Sequence, residues 1–164
     1  MYDLVLLRHG HALSTGEAGV SFDAERPLSG RGIAEAGEAA QRLKAAGFRP
    51  GLIVASPFRR AVMTAEIADG VFPGARRVTT AALSDGDAAG VVQLLSCADL
   101  REGAGVLVVG HQPLLGFLAG FFLAREAFAL SPAGFVRIKT GDAGFTGKPG
   151  SALVEQYAPA GNLF

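Results

Sequence analysis

The stretch Leu4-Val5-Leu6-Leu7-Arg8-His9-Gly10-His11 decides how the rest of the chain is read. Four apolar residues in a row have the length and uniformity of a short strand. They give way at once to a guanidinium, an imidazole, a glycine and a second imidazole. The same form recurs twice. Leu52 to Ala55 runs into Ser56-Pro57-Phe58-Arg59-Arg60, and Val106 to Val109 runs into Gly110-His111-Gln112-Pro113. The run at Val106 is continuously apolar, as strands buried on both faces are.

Helical patterns fill the intervals. The chain from Arg31 to Ala46 is alanine-rich, with Ile33, Ala36, Ala40 and Leu43 at spacings of three and four, while Glu35, Glu38, Gln41, Arg42 and Lys44 fall on the other positions. Gly47 follows as a helix-ending glycine would. Ser56 and Pro57 read as N-cap and first position of a helix running to Ala68. Arg76 to Thr80 predicts a short strand, Ala88 to Ser96 a short helix, and Leu114 to Ala124 a buried apolar helix. Phe135 to Thr140 and Ala152 to Tyr157 read as closing strands around a glycine-rich turn over Gly141 to Gly150. Ser14, Thr15, Gly16 and Gly19 read as a flexible loop. The alternation predicts an α/β fold: one three-layer sandwich with a mostly parallel sheet and helices on both faces. Such sheets bind ligands beyond the carboxyl ends of their strands.

A chain of 164 residues with 49% hydrophobic content can bury one substantial core and is short for two, so residues 1–164 are read as a single domain. Fifteen basic side chains balance fifteen acidic ones, which predicts no nucleic-acid partner and no anionic-membrane partner. The lone cysteine, Cys97, reads as a small helix-face residue; it leaves no internal disulfide framework and suits a reducing compartment. The opening residues lack the basic region and long apolar core of a signal peptide, so the expected location is the cytoplasm. The apolar stretch at Leu114 is far below the roughly 20 residues of a membrane span.

If the three strands are neighbours, Arg8, His9, Arg60 and His111 converge on one crevice. Two guanidiniums and two imidazoles suit a compact anion with several oxygens, and a phosphoryl group fits best because the guanidinium fork matches its oxygens in pairs. Gly10 and Gly110 are expected to let the backbone approach the ligand. No cysteine falls in these segments, no P-loop pattern occurs in the chain, and the helix cap claims Ser56. That leaves His9 as nucleophile: a neutral imidazole can attack phosphorus and hold the phosphoryl group, and neighbouring cations favour its neutral form. His9, His11 and His111 together suggest a three-histidine zinc site as the alternative, which Arg8 and Arg60 oppose because cations repel a divalent ion. No metal or other cofactor is therefore expected. His11 by itself reads as a loop residue at the pocket mouth.

Three segments, Arg8-His9-Gly10, Ser56-Pro57-Phe58-Arg59-Arg60-Ala61 with Thr64, and Gly110-His111, resemble the motifs of the histidine phosphatase superfamily (phosphoglycerate mutase-like) over nearly the whole chain. Its short length and Arg26-Pro27-Leu28-Ser29 with Gly32 make it most similar to the small bacterial phosphohistidine phosphatases of the SixA type. The resemblance implies that His9 is phosphorylated, that Arg8 and Arg60 bind phosphoryl oxygens, that His111 is a further phosphate ligand and that Arg26 is another contact. Arg59 is then a solvated helix residue. Many relatives carry a general-acid glutamate after the third strand; here the matching stretch is Ala81-Ala82-Leu83-Ser84, leaving Asp23, Asp85 and Asp87 as substitutes. A missing acid matters least when the leaving group is an imidazole, with a reference pKa of about 6.5. The expected substrate is accordingly phosphohistidine on a protein such as a histidine phosphotransfer domain. The alternatives are a small phosphorylated molecule, whether ester or nucleotide, or a phosphoprotein-binding module without turnover.

Overall fold

The computed structural model describes residues 2–101, 103–141, 144, 145 and 151–162. In chain order its elements are β1 (Tyr2–Arg8), α1 (Thr15–Ala18), a single 3-10 turn (Asp23–Glu25), α2 (Gly30–Ala45), β2 (Pro50–Ala55), α3 (Arg59–Val71) and β3 (Arg76–Thr79). There follow α4 (Ala81–Asp85), α5 (Ala88–Ser96), β4 (Gly105–Gly110), α6 (Leu114–Leu123), β5 (Phe135–Thr140) and β6 (Ala152–Tyr157). The strands form one sheet in the order β3-β2-β4-β1-β5-β6. Neighbours from β3 to β1 run parallel, whereas β5 is antiparallel to both β1 and β6.

The predicted α/β layering follows from the period-two alternation of strand side chains. Leu4 and Leu6 of β1, with Val106 and Val108 of β4, enter a core closed by Leu83, Val91, Leu95, Leu115 and Leu118 from α4, α5 and α6. Val5 and Leu7, with Leu107 and Val109, face the opposite way into a core built with Ala39, Ala40 and Leu43 of α2 and Ala61, Ala65 and Ala68 of α3. Every residue of β4 is buried, as its unbroken apolar run predicts. Each fully buried Val or Leu contributes about 1.5–3 kcal/mol. The roots of the loops that leave β1, β2 and β4 are therefore firmly held.

Four local expectations need correction. The buried side of α2 comprises Gly32, Glu35, Ala36, Ala39, Ala40 and Leu43, while Ile33 is 45% exposed; the helix turns a carboxylate inward where the pattern suggested isoleucine. The α3 helix begins at Arg59, with Phe58 at its N-cap and no side-chain cap, so Ser56 and Pro57 belong to the preceding turn. Helix α6 buries Leu114, Leu115, Leu118 and Phe122 but leaves Phe117 and Phe121 exposed, so it is half covered. The segment after Ser14 is one helical turn closed by a reciprocal cap, in which Ser14 Oγ accepts from Glu17 N–H and the Glu17 carboxylate accepts from Ser14 N–H. Of the glycine-rich turn, positions 142, 143 and 146–150 lie outside the described residues. Cys97 is exposed at the C-cap of α5. No helix is long and apolar enough to cross a membrane among the described residues.

Candidate active site

The carboxyl ends of β1, β2 and β4 lie side by side, with Arg8 opposite Gly110 and Ala55 opposite Val109. The sheet ladder continues one step beyond them, through His9 N–H to Gly110 O at 3.1 Å and Ser56 N–H to Val109 O at 3.0 Å. All three motif segments therefore leave one edge. They surround a cleft of about 330 Å³ lined by Arg8, His9, His11, Arg26, Arg60 and His111. A second recess of about 460 Å³ adjoins it, sharing Arg8, Gln112 and Pro132.

His9 sits on the floor of the cleft at 9% exposure. Its Nδ1 is 2.7 Å from the carbonyl oxygen of Gly10. A carbonyl only accepts, so Nδ1 carries the proton and Nε2 keeps its lone pair. Arg60 Nε donates to that lone pair at 3.2 Å. Burial is the main cause that pushes the His9 pKa down to about 3; the Gly10 carbonyl opposes it, while His111, Arg60 and Arg8 lower it further. The ring is neutral across the ordinary pH range.

Arg60, itself buried, is held by both remaining nitrogens: Nη1 donates to Asp23 O at 2.8 Å and Nη2 to Asp23 Oδ2 at 2.9 Å. Asp23 Oδ1 accepts from Arg26 Nη1 at 2.8 Å, and Arg26 Nε donates to Leu13 O at 2.7 Å. The Arg26 hydrogen bond, followed by those of Arg60 against the opposing effect of burial, holds the Asp23 carboxyl below the usual range. Arg8 Nη1 donates to Leu130 O at 2.8 Å, while its buried Nε has no protein partner among the described residues. Thr64 Oγ1 donates to Arg60 O at 2.8 Å and accepts from Gly10 N–H at 3.3 Å, tying the His9 loop to α3.

The His111 ring centroid is 5.1 Å from that of His9, and its Nε2 is 2.7 Å from Ser56 Oγ. Ser56 also accepts from Phe58 N–H at 3.3 Å. Burial, then Arg60, pushes the His111 pKa down to about 4, with Asp23 opposing. Asp87 is taken up elsewhere, accepting from Gly90 N–H as the cap of α5, and Asp85 accepts from Ser84 Oγ. Both are exposed and neither lines the cleft. Arg59 is exposed. No group of three His, Cys, Asp or Glu side chains is arranged to hold a metal among the described residues.

Gly10 and Gly110 do not open space for a ligand. A Cβ on Gly10 would lie 2.5 Å from Gly32 O, and one on Gly110 would meet Leu83 and Leu115. Both let protein approach protein. Two partnerships also escape the sequence: Ser56 with His111, and Glu35 with His11 at 2.6 Å. The first had a signal in a serine placed directly at a strand's carboxyl end. The second had none beyond a glutamate that helical spacing assigns to solvent.

The strand-end cleft brings together, on an α/β sheet, one buried and one half-buried imidazole and the guanidiniums of Arg8, Arg26 and Arg60. A profile of the histidine phosphatase superfamily (branch 1) matches residues 4–91, more than half of the sequence, and the chain belongs to that superfamily. The structure is similar to that of the protein histidine phosphatase SixA complexed with tungstate, at TM-score 0.82 and 23% identity over 96% of this chain and 97% of that one. It is similar also to a phosphohistidine phosphatase SixA, so described provisionally, from Agrobacterium tumefaciens, at 0.78 and 22% over 96% and 98%. A third likeness is to a protein given the same provisional description from Nakamurella multipartitia, at 0.77 and 22% over 97% and 96%. No curated protein matches the sequence.

Proposed function

We propose that the protein is a phosphatase that works through a phosphohistidine intermediate on His9. The observation that carries this reading is the state of His9: neutral, with Nδ1–H held by Gly10 O, and with the Nε2 lone pair directed at Arg60 in a cationic cleft. An arriving phosphoryl group exchanges for that contact. Its oxygens take the Arg60 N–H and the free Arg8 Nε–H, and Nε2 is released to attack. The P–Nε2 bond forms as the bond to the leaving group breaks, with its electron pair departing on the leaving atom. Water then adds to phosphorus, the P–N bond breaks, and the pair returns to His9 Nε2. Arg8, Arg60, Arg26 and His111 stabilise the charge on the equatorial oxygens, which is the main contribution a protein makes to phosphoryl transfer.

The favoured substrate is phosphohistidine carried by a protein, such as a phosphotransfer domain. The SixA proteins to which the fold is similar support it. The adjoining recess leaves room beside the cleft for a bulky substrate. The test is a substrate panel with chelator present, run on wild type and His9→Ala, with mass spectrometry of acid-sensitive phosphate on His9. Turnover of phosphohistidine peptides by wild type alone, with a phosphorylated His9, is expected. Retained activity in His9→Ala overturns the mechanism, and faster hydrolysis of alkyl monoesters than of phosphohistidine overturns the substrate.

A further inference from the structure

His11 is more tightly built into the site than a residue at the mouth of a loop requires. Its carbonyl oxygen accepts from Ser29 N–H at 2.9 Å and from Ser29 Oγ at 3.2 Å. The backbone of α2 comes so close that a Cβ on Gly32 would lie 2.0 Å from the same oxygen. The His11 ring lines the cleft and gives its Nδ1 to Glu35 Oε2 at 2.6 Å. Glu35, only 7% exposed, is fixed from two further directions, its Oε1 accepting from Arg31 Nε at 2.7 Å and from Asn162 Nδ2 at 3.1 Å. Asn162 also donates to Pro132 O at 3.2 Å, so the cleft wall and the chain near its carboxyl end meet on this one carboxylate.

A buried carboxylate that orients an imidazole through Nδ1 leaves Nε2 to exchange protons with whatever enters the cleft, which is the division of labour in any histidine acid–base pair. Position matters as well. The side chain of His11 is 31% exposed, whereas the Arg60 side chain is 9% exposed and His9 lies on the floor. In an in-line displacement the leaving group departs on the side away from the nucleophile, and of the two histidines His11 lies nearer to solvent. Asp23, which does not line the cleft, is shared by two guanidiniums and is kept ionised, so it positions Arg60 and has no proton to give.

We infer that His11, oriented and charge-balanced by Glu35, is the proton donor to the leaving group in the first step and the proton acceptor from water in the second. This rests on the reading of His9 as nucleophile. In the first step the P–Nε2 bond to His9 forms, the bond from phosphorus to the leaving atom breaks, and that atom receives the proton of His11 Nε2 along with the electron pair. In the second step neutral His11 takes a proton from the attacking water as the P–N bond breaks, which restores its starting state.

The experiment compares wild type, His11→Ala, His11→Gln and Glu35→Gln on aryl phosphates graded from dinitrophenyl to unsubstituted phenyl, reading kcat/KM and alkali-quenched phosphoenzyme. A dinitrophenolate departs without a proton. The His11 variants are therefore expected to stay within a few-fold of wild type on dinitrophenyl phosphate and to lose about 100-fold or more on phenyl phosphate. The loss should grow steadily with leaving-group basicity, and Glu35→Gln should show the same trend more weakly. His11→Gln keeps an N–H for Glu35, so it guards against a folding defect in His11→Ala. A uniform loss across the series in His11→Gln, with phosphoenzyme still formed on His9, overturns this inference alone. Absence of phosphoenzyme in wild type overturns the nucleophile reading on which it rests.

Discussion

Lowering the pH from 8 to 5 should destabilise the wild-type protein by about 2 kcal/mol more than it destabilises a His9→Asn variant. The unfolded chain holds its histidines near a pKa of about 6.5, whereas folding buries His9 and pushes it down to about 3. At pH 8 neither state carries the proton, and the two states have no difference to express. At pH 5 the unfolded imidazole is almost fully protonated and the folded one is not. The difference of about 1.5 pH units, at 1.36 kcal/mol each, amounts to about 2 kcal/mol. The sign follows from which state binds the proton. Stability is complete above pH 6.5, falls as the pH drops through that value, and goes on falling until about pH 3, where the folded ring accepts the proton too. In a protein of this size the effect at pH 5 is a lowering of Tm by about 4–8 °C. His111, pushed down to about 4, acts in the same direction but is present in both proteins and cancels from the comparison. Urea unfolding of both proteins at pH 8, 6.5 and 5, in buffers free of phosphate and sulfate, measures the difference. Parallel stability curves would refute the claim that His9 is buried neutral, and with it the pre-formed lone pair on Nε2.

Two substitutions probe the supports of the cleft. Gly32→Ala places a Cβ against the His11 carbonyl, backbone on backbone, and should cost about 1–3 kcal/mol in denaturant unfolding while displacing the loop that carries His9 and His11; unchanged stability together with unchanged kcat/KM would contradict the close approach. Ser56→Ala leaves His111 Nε2 without its partner in a half-buried site, with an expected loss of about 1–3 kcal/mol of stability. The His111 ring signals in NMR should shift in that variant while those of His9 keep the Nδ1–H tautomer, and an unmoved His111 would show that Ser56 does not hold it.

The ends of the strands carry the information that a sequence can carry by itself. Apolar runs at Leu4, Leu52 and Val106 determine a buried sheet because continuous burial on both faces is what such runs require. The abrupt change to Arg8-His9, Arg60 and Gly110-His111 marks its carboxyl edge as the cationic one. Tertiary structure decided the rest, for reasons of geometry. Helical period alone gives the direction of a side chain to within about a third of a turn, which is too coarse to tell that Glu35 and not Ile33 faces inward. Capping preference suggested Ser56 for a helix end, but the register of β2 against β4 sets Ser56 beside His111, and a side-chain partner across 55 residues outweighs a local one. The same holds for Gly10 and Gly32. Their meaning lies in how closely the first loop packs on α2, a distance fixed by the sheet and written nowhere in the spacing of the chain. Sequence named the groups expected to meet a phosphate, and the packed sheet decided which proton each one holds, because burial and neighbouring charge exist only once the strands are side by side.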